Sequence, residues 1–161
     1  MTYPEERLRQ AIETAAAHDY HKLVIVVGDF RSGKTRLVRK SMEEIGGTYL
    51  NLNLKLSDQL LAIDPQRYAT QASVLVEDLC QAGDPRCPLF VDNLELLFSP
   101  EVGRINPVDL FRKISRTRVV VVALPCQLLA RDRAQYSEPG RPDHMILDLS
   151  GLNVIDIEGE Q

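Results

Sequence analysis

A short segment in the N-terminal part of the chain combines glycine, lysine and threonine at a spacing that suits phosphate binding. Residues 28 to 35 read Gly-Asp-Phe-Arg-Ser-Gly-Lys-Thr. This order matches G-x-x-x-x-G-K-[ST], the Walker A or P-loop motif. Glycine at 28 and 33 permits backbone angles that a side chain disfavours, so the loop N–H groups can converge on phosphate oxygens.

The residues on either side of this segment favour the same interpretation. The apolar run Leu23–Val27 predicts a strand, and Thr35–Ile45 predicts a helix. A phosphate at the N-terminus of that helix would also be favoured by the helix dipole. Lys34 is expected to reach the β- and γ-phosphates, and the Thr35 hydroxyl is expected to ligate Mg²⁺.

The predicted nucleotide-binding residues form one continuous set. We expect ATP, with Mg²⁺, to contact the whole loop and the residue that follows it. The set is Gly28, Asp29, Phe30, Arg31, Ser32, Gly33, Lys34, Thr35 and Arg36.

A second acidic position fits the same chemistry. Pro88–Asp92 is an apolar strand that ends in a carboxylate, which is the Walker B form. Asp92 is therefore predicted to hold Mg²⁺, directly or through water. An apolar strand that ends in aspartate is common, so the prediction depends on the motif upstream.

Hydrolysis also needs a group that orients or deprotonates water. Many P-loop ATPases have glutamate directly after the Walker B aspartate, whereas this chain has Asn93. Glu95 is the nearest carboxylate and is a candidate catalytic base, although a solvated residue at a helix start is an equal alternative. Asn93 is a candidate for positioning water, and its place in the motif puts fast hydrolysis in doubt. Lys34 completes the predicted catalytic set.

Composition places the chain among single-domain globular proteins. It has 161 residues, of which 44% are hydrophobic, and a formal net charge of −4, which disfavours a general nucleic-acid-coating role. The run Val119–Leu124 is too short to cross a bilayer, and no signal peptide is visible. We therefore expect one cytoplasmic domain over 1–161, with no membrane partner. Cys80, Cys87 and Cys126 lack the spacing of zinc ligands.

The elements alternate in type along the chain. Within 1–20 an amphipathic helix is expected, and 151–161 is a short tail that could add an edge strand. Helices are expected between the strands, one capped by Ser57, one over 66–81 and one opened by Asn106. The predicted strands are Leu23–Val27, Thr48–Leu54, Pro88–Asp92, Arg118–Leu124 and Met145–Leu149.

Strands separated by helices predict a three-layer α/β fold with a five-stranded, mainly parallel sheet. Numbered in chain order, the strands are expected in the order 5-1-4-3-2, an arrangement typical of P-loop NTPases of the AAA+ class. Such proteins often place a polar sensor after the fourth strand, where this chain has Cys126 and Gln127.

Two groups of basic residues raise the question of partners. Arg104, Arg112, Lys113, Arg116 and Arg118 could bind DNA or RNA phosphates, and an acidic protein partner is equally compatible, although such a run is more often a solvated helix face and strand entry. A second group could act in trans on a neighbouring subunit, as arginine fingers do. Its members are Arg131, Arg133 and Arg141.

Several stretches taken together resemble the BrxF family of small P-loop proteins of type 3 bacteriophage-exclusion (BREX) defence systems. The resemblance covers about residues 20 to 150, and its more specific parts are Asp-Asn-x-Glu-Leu-Leu-Phe at 92–98 and Tyr-x-Glu-Pro-Gly at 136–140. It implies a bacterial cytoplasmic AAA+-like ATPase in anti-phage defence. The other stretches are 28–35, Tyr49–Leu54, Asn106-Pro107 with Leu110, and Ser115–Val121.

The resemblance leaves the activity and the assembly open. The leading hypothesis is an ATP-driven switch or motor subunit that forms a homo-oligomer or binds other defence-system proteins, without the helical lid domain of AAA+ proteins. One alternative is a small-molecule kinase, although kinases usually carry glycine where Arg31 stands. Another is a scaffold that binds nucleotide with little hydrolysis.

Overall fold

The computed structural model describes residues 3–18, 20–29 and 32–157. Its helices are α1 (Pro4–His18), α2 (Lys34–Ile45), α3 (Leu52–Leu60), α4 (Tyr68–Leu79) and α5 (Pro107–Ile114). Its strands are β1 (Leu23–Val27), β2 (Thr48–Asn51), β3 (Leu89–Asp92), β4 (Val120–Leu124), β5 (Gln127–Ala130), β6 (Arg133–Tyr136), β7 (Met145–Asp148) and β8 (Asn153–Asp156).

The main sheet has five parallel strands in the order β2-β3-β4-β1-β8. β1 and β4, at its centre, are buried along their whole length, which explains why both are almost entirely aliphatic. The carboxyl ends of β1 and β3 therefore lie at the same edge of the sheet, with β4 between them.

Helices cover both faces of this sheet. Alternate residues of each strand point to opposite sides, so Val24 and Val26 pack with α1 and α2, whereas Leu23 and Ile25 pack with α3, α4 and α5. The predicted three-layer α/β arrangement is present. α5 also begins as predicted, since Asn106 Oδ1 accepts from Val108 N at 2.9 Å.

The predicted order of the strands is wrong at one edge. Met145–Leu149, expected beside β1, lies in a separate three-stranded antiparallel sheet with the order β5-β6-β7. The tail supplies the edge strand instead, since β8 pairs in parallel with β1. The β5–β6 hairpin turns at Arg131-Asp132, which lacks the Asn-Gly or Asp-Gly signal of a tight hairpin, so its strands were not predicted.

The predicted end of the second strand is also wrong. β2 stops at Asn51, and α3 begins at the next residue. Asn51 Oδ1 accepts from Leu54 N at 3.3 Å, so this side chain caps the helix that was assigned to Ser57. The correction places Asn53 in the first turn of α3 rather than in a strand.

Two of the three cysteines lie in the interior of the protein. Cys80 and Cys126 are buried, and burial raises the pKa of Cys80 to about 12. Among the described residues, none of the helices combines the length and the apolar composition that crossing a membrane requires.

Candidate phosphate and metal site

The Gly28–Thr35 loop joins the end of β1 to the start of α2. Gly33 is the N-cap of α2 and has a φ of 99°, in the left-handed region where glycine alone is unstrained. This conformation turns the chain directly into the helix, so the first N–H groups of α2 face the loop. The predicted strand and helix are thus both present.

Lys34 lies within the concave side of the loop. Its side chain is buried, and Nζ donates to Gly28 O at 2.6 Å and to Asp29 O at 2.7 Å. A weaker contact joins Nζ to Ser32 Oγ at 3.4 Å. The ammonium group is therefore held against the backbone at the start of the loop.

Asp92 at the end of β3 is joined to the start of α2. Thr35 Oγ1 donates to Asp92 Oδ2 at 2.6 Å, a short charge-assisted hydrogen bond. The N–H of Asn93 donates to Asp92 Oδ1 at 2.9 Å. Asp92 is only 3% exposed, so both oxygens of a buried carboxylate are held by donors. The two predicted Mg²⁺ ligands, Thr35 and Asp92, are in direct contact.

Tyr49 on β2 is a third donor to the same carboxylate. Its hydroxyl donates to Asp92 Oδ2 at 3.0 Å, and the guanidinium carbon of Arg39 lies 4.3 Å from the centre of its ring. Burial, followed by the negative charge of Asp92, raises the pKa of Tyr49, so the phenol stays protonated and donates at neutral pH.

The segment after Asp92 is held by Asn53. Asn93 has a φ of 56°, a left-handed conformation that asparagine tolerates better than most residues, and its carbonyl accepts from Asn53 N at 2.7 Å. The Asn53 side chain donates from Nδ2 to Glu95 Oε2 at 2.8 Å and accepts from Leu96 N at 2.9 Å. Three hydrogen bonds from one residue thus fix the position of Glu95.

The predicted residues from both motifs line one cavity of about 680 Å³. A volume of this size is within the range of small-molecule sites. Its wall combines the start of α2, the end of β3 and the segment that follows β3. The lining residues are Ser32, Gly33, Lys34, Thr35, Arg36, Arg39, Lys40, Glu43, Asp92, Asn93, Glu95 and Pro125.

The other predicted residues lie nearby or outside the described chain. Gly28 is buried and Asp29 is exposed at the end of β1, and both offer carbonyls to Lys34. Phe30 and Arg31 lie outside the described residues. Arg36 is exposed on α2 and lines the cavity.

The donor set suits Mg²⁺ better than a metal that needs a protein cage. No group of three or more histidine, cysteine, aspartate or glutamate side chains that could hold a metal occurs in the described part of the chain. Mg²⁺ commonly takes one or two protein oxygens and completes its shell with water and substrate phosphate. Thr35 and Asp92 fit that requirement.

The candidate sensor and trans-acting residues lie outside the cavity around Lys34, although Cys126 and Gln127 line a neighbouring pocket with Gly28 and Asp29, and Arg141 lines one with Glu95. Cys126 is buried after β4, and Gln127 is exposed at the start of β5. Neither lines the cavity around Lys34. Arg131, Arg133 and Arg141 are exposed in or beside the antiparallel sheet, and their predicted action on a neighbouring subunit stays a prediction.

The basic residues between 104 and 118 have partners within the protein. Arg118 is buried and donates to Cys80 O, Ala82 O, Asp84 O and Cys87 O at 2.8 to 3.2 Å. These bonds hold the loop between α4 and β3, so they account for this arginine without a nucleic acid.

The remaining basic residues are also engaged. Arg112 donates to Asp148 O and Ser150 O, each at 3.0 Å, and Arg104 donates to His144 O. Lys113 pairs with Glu77 at 3.4 Å, and the Arg116 guanidinium lies 5.0 Å from the Tyr20 ring centre. Structural contacts explain the whole group, and DNA binding stays an untested prediction.

Three residues of the site were missed from the sequence. Arg39 follows Thr35 by four residues, about one helical turn, so the sequence could have predicted that both lie on the same face of α2. Tyr49 and Asn53 gave no such signal, because their partners lie more than 40 residues away in sequence.

Gly33→Ala is expected to destabilise the fold by about 1–2 kcal/mol, because a side chain disfavours left-handed backbone angles. A Cβ at this position would meet nothing within 4 Å, so the cost is conformational rather than steric. Chemical denaturation measures it. Gly151→Ala is the matched control, with φ of 77° and equally open space far from the loop. Both variants are expected to lose the same amount of stability, but only Gly33→Ala is expected to bind nucleotide more weakly. Unaltered nucleotide binding by Gly33→Ala would contradict a role for the loop conformation.

The comparisons with known proteins add no relative. No known family model matches this chain, and no curated protein sequence matches it at a significant level. The functional interpretation therefore depends on the motifs in the sequence and on the geometry of the described residues.

Proposed function

We propose that this protein binds ATP with Mg²⁺ and hydrolyses it, as a P-loop NTPase that works as a switch. The observation that carries the proposal is the contact between Thr35 and Asp92, 2.6 Å apart at the mouth of the Gly28–Thr35 loop. Two motifs separated by more than 50 residues meet in one cavity, as nucleotide chemistry requires.

Phosphate binding is assigned to the loop and the N-terminus of α2. The first N–H groups of a helix have no partner within that helix, and they and the helix dipole both favour an anion there. The Lys34 ammonium, held by Gly28 O and Asp29 O, supplies a full positive charge at the same place. Arg36, which lines the same cavity, adds to the positive potential.

The magnesium ion is assigned to Thr35 and Asp92. A bound Mg²⁺ would neutralise charge on the phosphates during transfer. The protein contributes a hydroxyl and a carboxylate whose orientation is already fixed, since Asn93 N and Tyr49 Oη hold the carboxylate from other directions. Little reorganisation is then needed when the ion binds.

Glu95 is assigned to water activation. It lines the same cavity as Lys34 and Asp92, so a water held beside the phosphates would be within reach of its carboxylate. Asn53 Nδ2 restrains that carboxylate at 2.8 Å, and Asn93 presents a neutral amide between the two acids. Asn93 can orient a water molecule through hydrogen bonds but cannot accept its proton at neutral pH.

A nucleotide-binding scaffold with slow turnover is the second candidate. The observation that favours it is the bond from Asn53 to Glu95, together with Asn93 in the position directly after Asp92. A carboxylate held by an amide must leave that partner, or share it, before it can accept a proton from water. Slow hydrolysis with tight binding would follow.

The biological setting proposed is anti-phage defence in the bacterial cytoplasm. The resemblance to BrxF supports it, through the stretches at 92–98 and 136–140. In this setting the protein would be an AAA+-like ATPase, acting as a homo-oligomer or with other proteins of the defence system. The motifs alone give nucleotide chemistry and say nothing of defence.

The assay that tests the proposed activity is phosphate release from ATP and Mg²⁺ with no acceptor present. Release of inorganic phosphate that stops when Mg²⁺ is chelated supports the ATPase. ADP formation that requires an added small-molecule acceptor would favour a kinase. Tight binding without release under either condition would favour the scaffold.

A further inference from the structure

Asp92 has a hydrogen-bond partner that neither motif contains. Tyr49 lies on β2, the edge strand beside β3, and its hydroxyl donates to Asp92 Oδ2 at 3.0 Å. This is the oxygen that also accepts from Thr35. Asp92 lines the cavity and Tyr49 does not, so Tyr49 contacts the carboxylate from outside the lining of that space.

The Tyr49 ring is itself fixed from two directions. It packs against the core between the sheet and helices α1 and α2. The Arg39 guanidinium covers its face, with the guanidinium carbon 4.3 Å from the ring centre, and Arg39 also lines the cavity. A cation over the face of tyrosine is attracted by the ring quadrupole, so α2 holds the ring in place.

Together these contacts hold the carboxylate by three donors on three different elements. The N–H of Asn93 donates to Oδ1, and the hydroxyls of Thr35 and Tyr49 donate to Oδ2. If Thr35 turns its hydroxyl oxygen toward a metal ion, it can no longer donate along the same direction. Tyr49 would then be the donor that continues to hold Oδ2.

We propose that Tyr49 is a positioning residue for Mg²⁺ at Asp92, and that Arg39 fixes the Tyr49 ring in that role. The inference rests on the proposed function, because it assigns a positioning residue to the metal site which that function requires. Donors behind a metal ligand orient it, and their removal typically weakens metal binding by about 10–100-fold.

The test compares Tyr49→Phe with Tyr68→Phe. The first change removes the hydroxyl and keeps the ring under Arg39, and the second removes a phenol from the half-buried start of α4, away from the cavity. Fluorescent ADP is titrated in chelator, and then at increasing Mg²⁺. Tyr49→Phe is expected to raise the Mg²⁺ concentration for half-maximal enhancement by about tenfold, with affinity in chelator unchanged. Tyr68→Phe is expected to match the wild type.

A double-mutant cycle tests the part assigned to Arg39. Arg39→Gln alone should shift the Mg²⁺ midpoint in the same direction, and it should add nothing further in the Tyr49→Phe background. An additional shift of equal size in the double variant would show that Arg39 acts without Tyr49 and would overturn that part of the proposal.

The outcomes separate the inference from the function on which it rests. An unshifted midpoint in Tyr49→Phe overturns the inference and leaves the proposed function standing. A loss of ADP affinity that is equal with and without Mg²⁺ gives Tyr49 a merely structural role and also overturns it. A wild-type protein that shows no response to Mg²⁺ contradicts the proposed function, and the inference falls with it. Thermal melting of each variant reports whether it is folded.

Discussion

Lys34→Ala is expected to abolish ATP binding while the fold survives. Lys34 is 8% exposed, and its ammonium donates to two backbone carbonyls and a serine hydroxyl of its own loop. Hydrogen bonds to charged groups contribute about 1.5–3 kcal/mol each. Loss of two such bonds to phosphate, about 3–6 kcal/mol, weakens affinity by at least about 100-fold.

Titration of ATP by calorimetry measures this loss, and a thermal melt shows whether the variant is folded. Lys113→Ala is the matched control, since Lys113 is an exposed helical lysine that pairs with Glu77 outside the cavity. It should bind ATP as the wild type does. Tight ATP binding by a well-folded Lys34→Ala protein would remove the phosphate-binding assignment.

Glu95→Gln is expected to reduce ATP hydrolysis by about 100-fold or more, with ATP affinity nearly unchanged. The substitution keeps the size of the side chain and an oxygen that can still accept from Asn53 Nδ2, so the local structure should persist. It removes the group that could accept a proton from water. Steady-state phosphate release gives the turnover, and ATP titration gives the affinity.

Glu101→Gln is the matched control for this prediction. Glu101 is exposed in the next turn of the chain, and it does not line the cavity. Turnover that is unaltered in Glu95→Gln would exclude Glu95 as the catalytic base and would favour the scaffold with slow hydrolysis. Asn93→Gly then becomes informative, because glycine keeps the left-handed backbone at that position and removes only the amide.

Much of the main sheet could be predicted, because its strands carry their signal locally. β1 and β4 are continuous aliphatic runs, and only a strand buried on both faces needs that composition. Two residues of the loop likewise carry a local signal. Gly33 predicts backbone angles that other residues disfavour, and the hydroxyl of Thr35 predicts a metal ligand. Thr35 lies at the end of the loop after β1, and Asp92 ends β3. Because β1 and β3 end at the same edge of the sheet, these two residues can come into contact.

The misplaced strand had a misleading local signal. Met145–Asp148 is apolar enough for a core strand, yet its burial alternates, with Leu147 buried and Ile146 exposed. It pairs with β6, which itself forms a hairpin with β5 whose turn has no glycine. Long-range pairing of this kind cannot be read from composition.

The supporting residues of the site were hidden for a related reason. Asn53 was predicted in a strand, because Asn51, Leu52, Asn53 and Leu54 alternate in polarity. Asn51 caps α3 instead, which turns Asn53 toward the segment after Asp92. Tyr49 lies in the part of the second strand that was predicted correctly, but its partner Asp92 is on the neighbouring strand, so only the register of β2 with β3 brings them together.

The central claim is that the Gly28–Thr35 loop and Asp92 form one Mg²⁺-dependent nucleotide site. Calorimetric titration of the wild-type protein with a non-hydrolysable ATP analogue, with Mg²⁺ and then with chelator, tests it most directly. Saturable binding of one analogue per chain that strengthens when Mg²⁺ is present is the predicted result. The absence of binding at millimolar analogue under both conditions would contradict the claim.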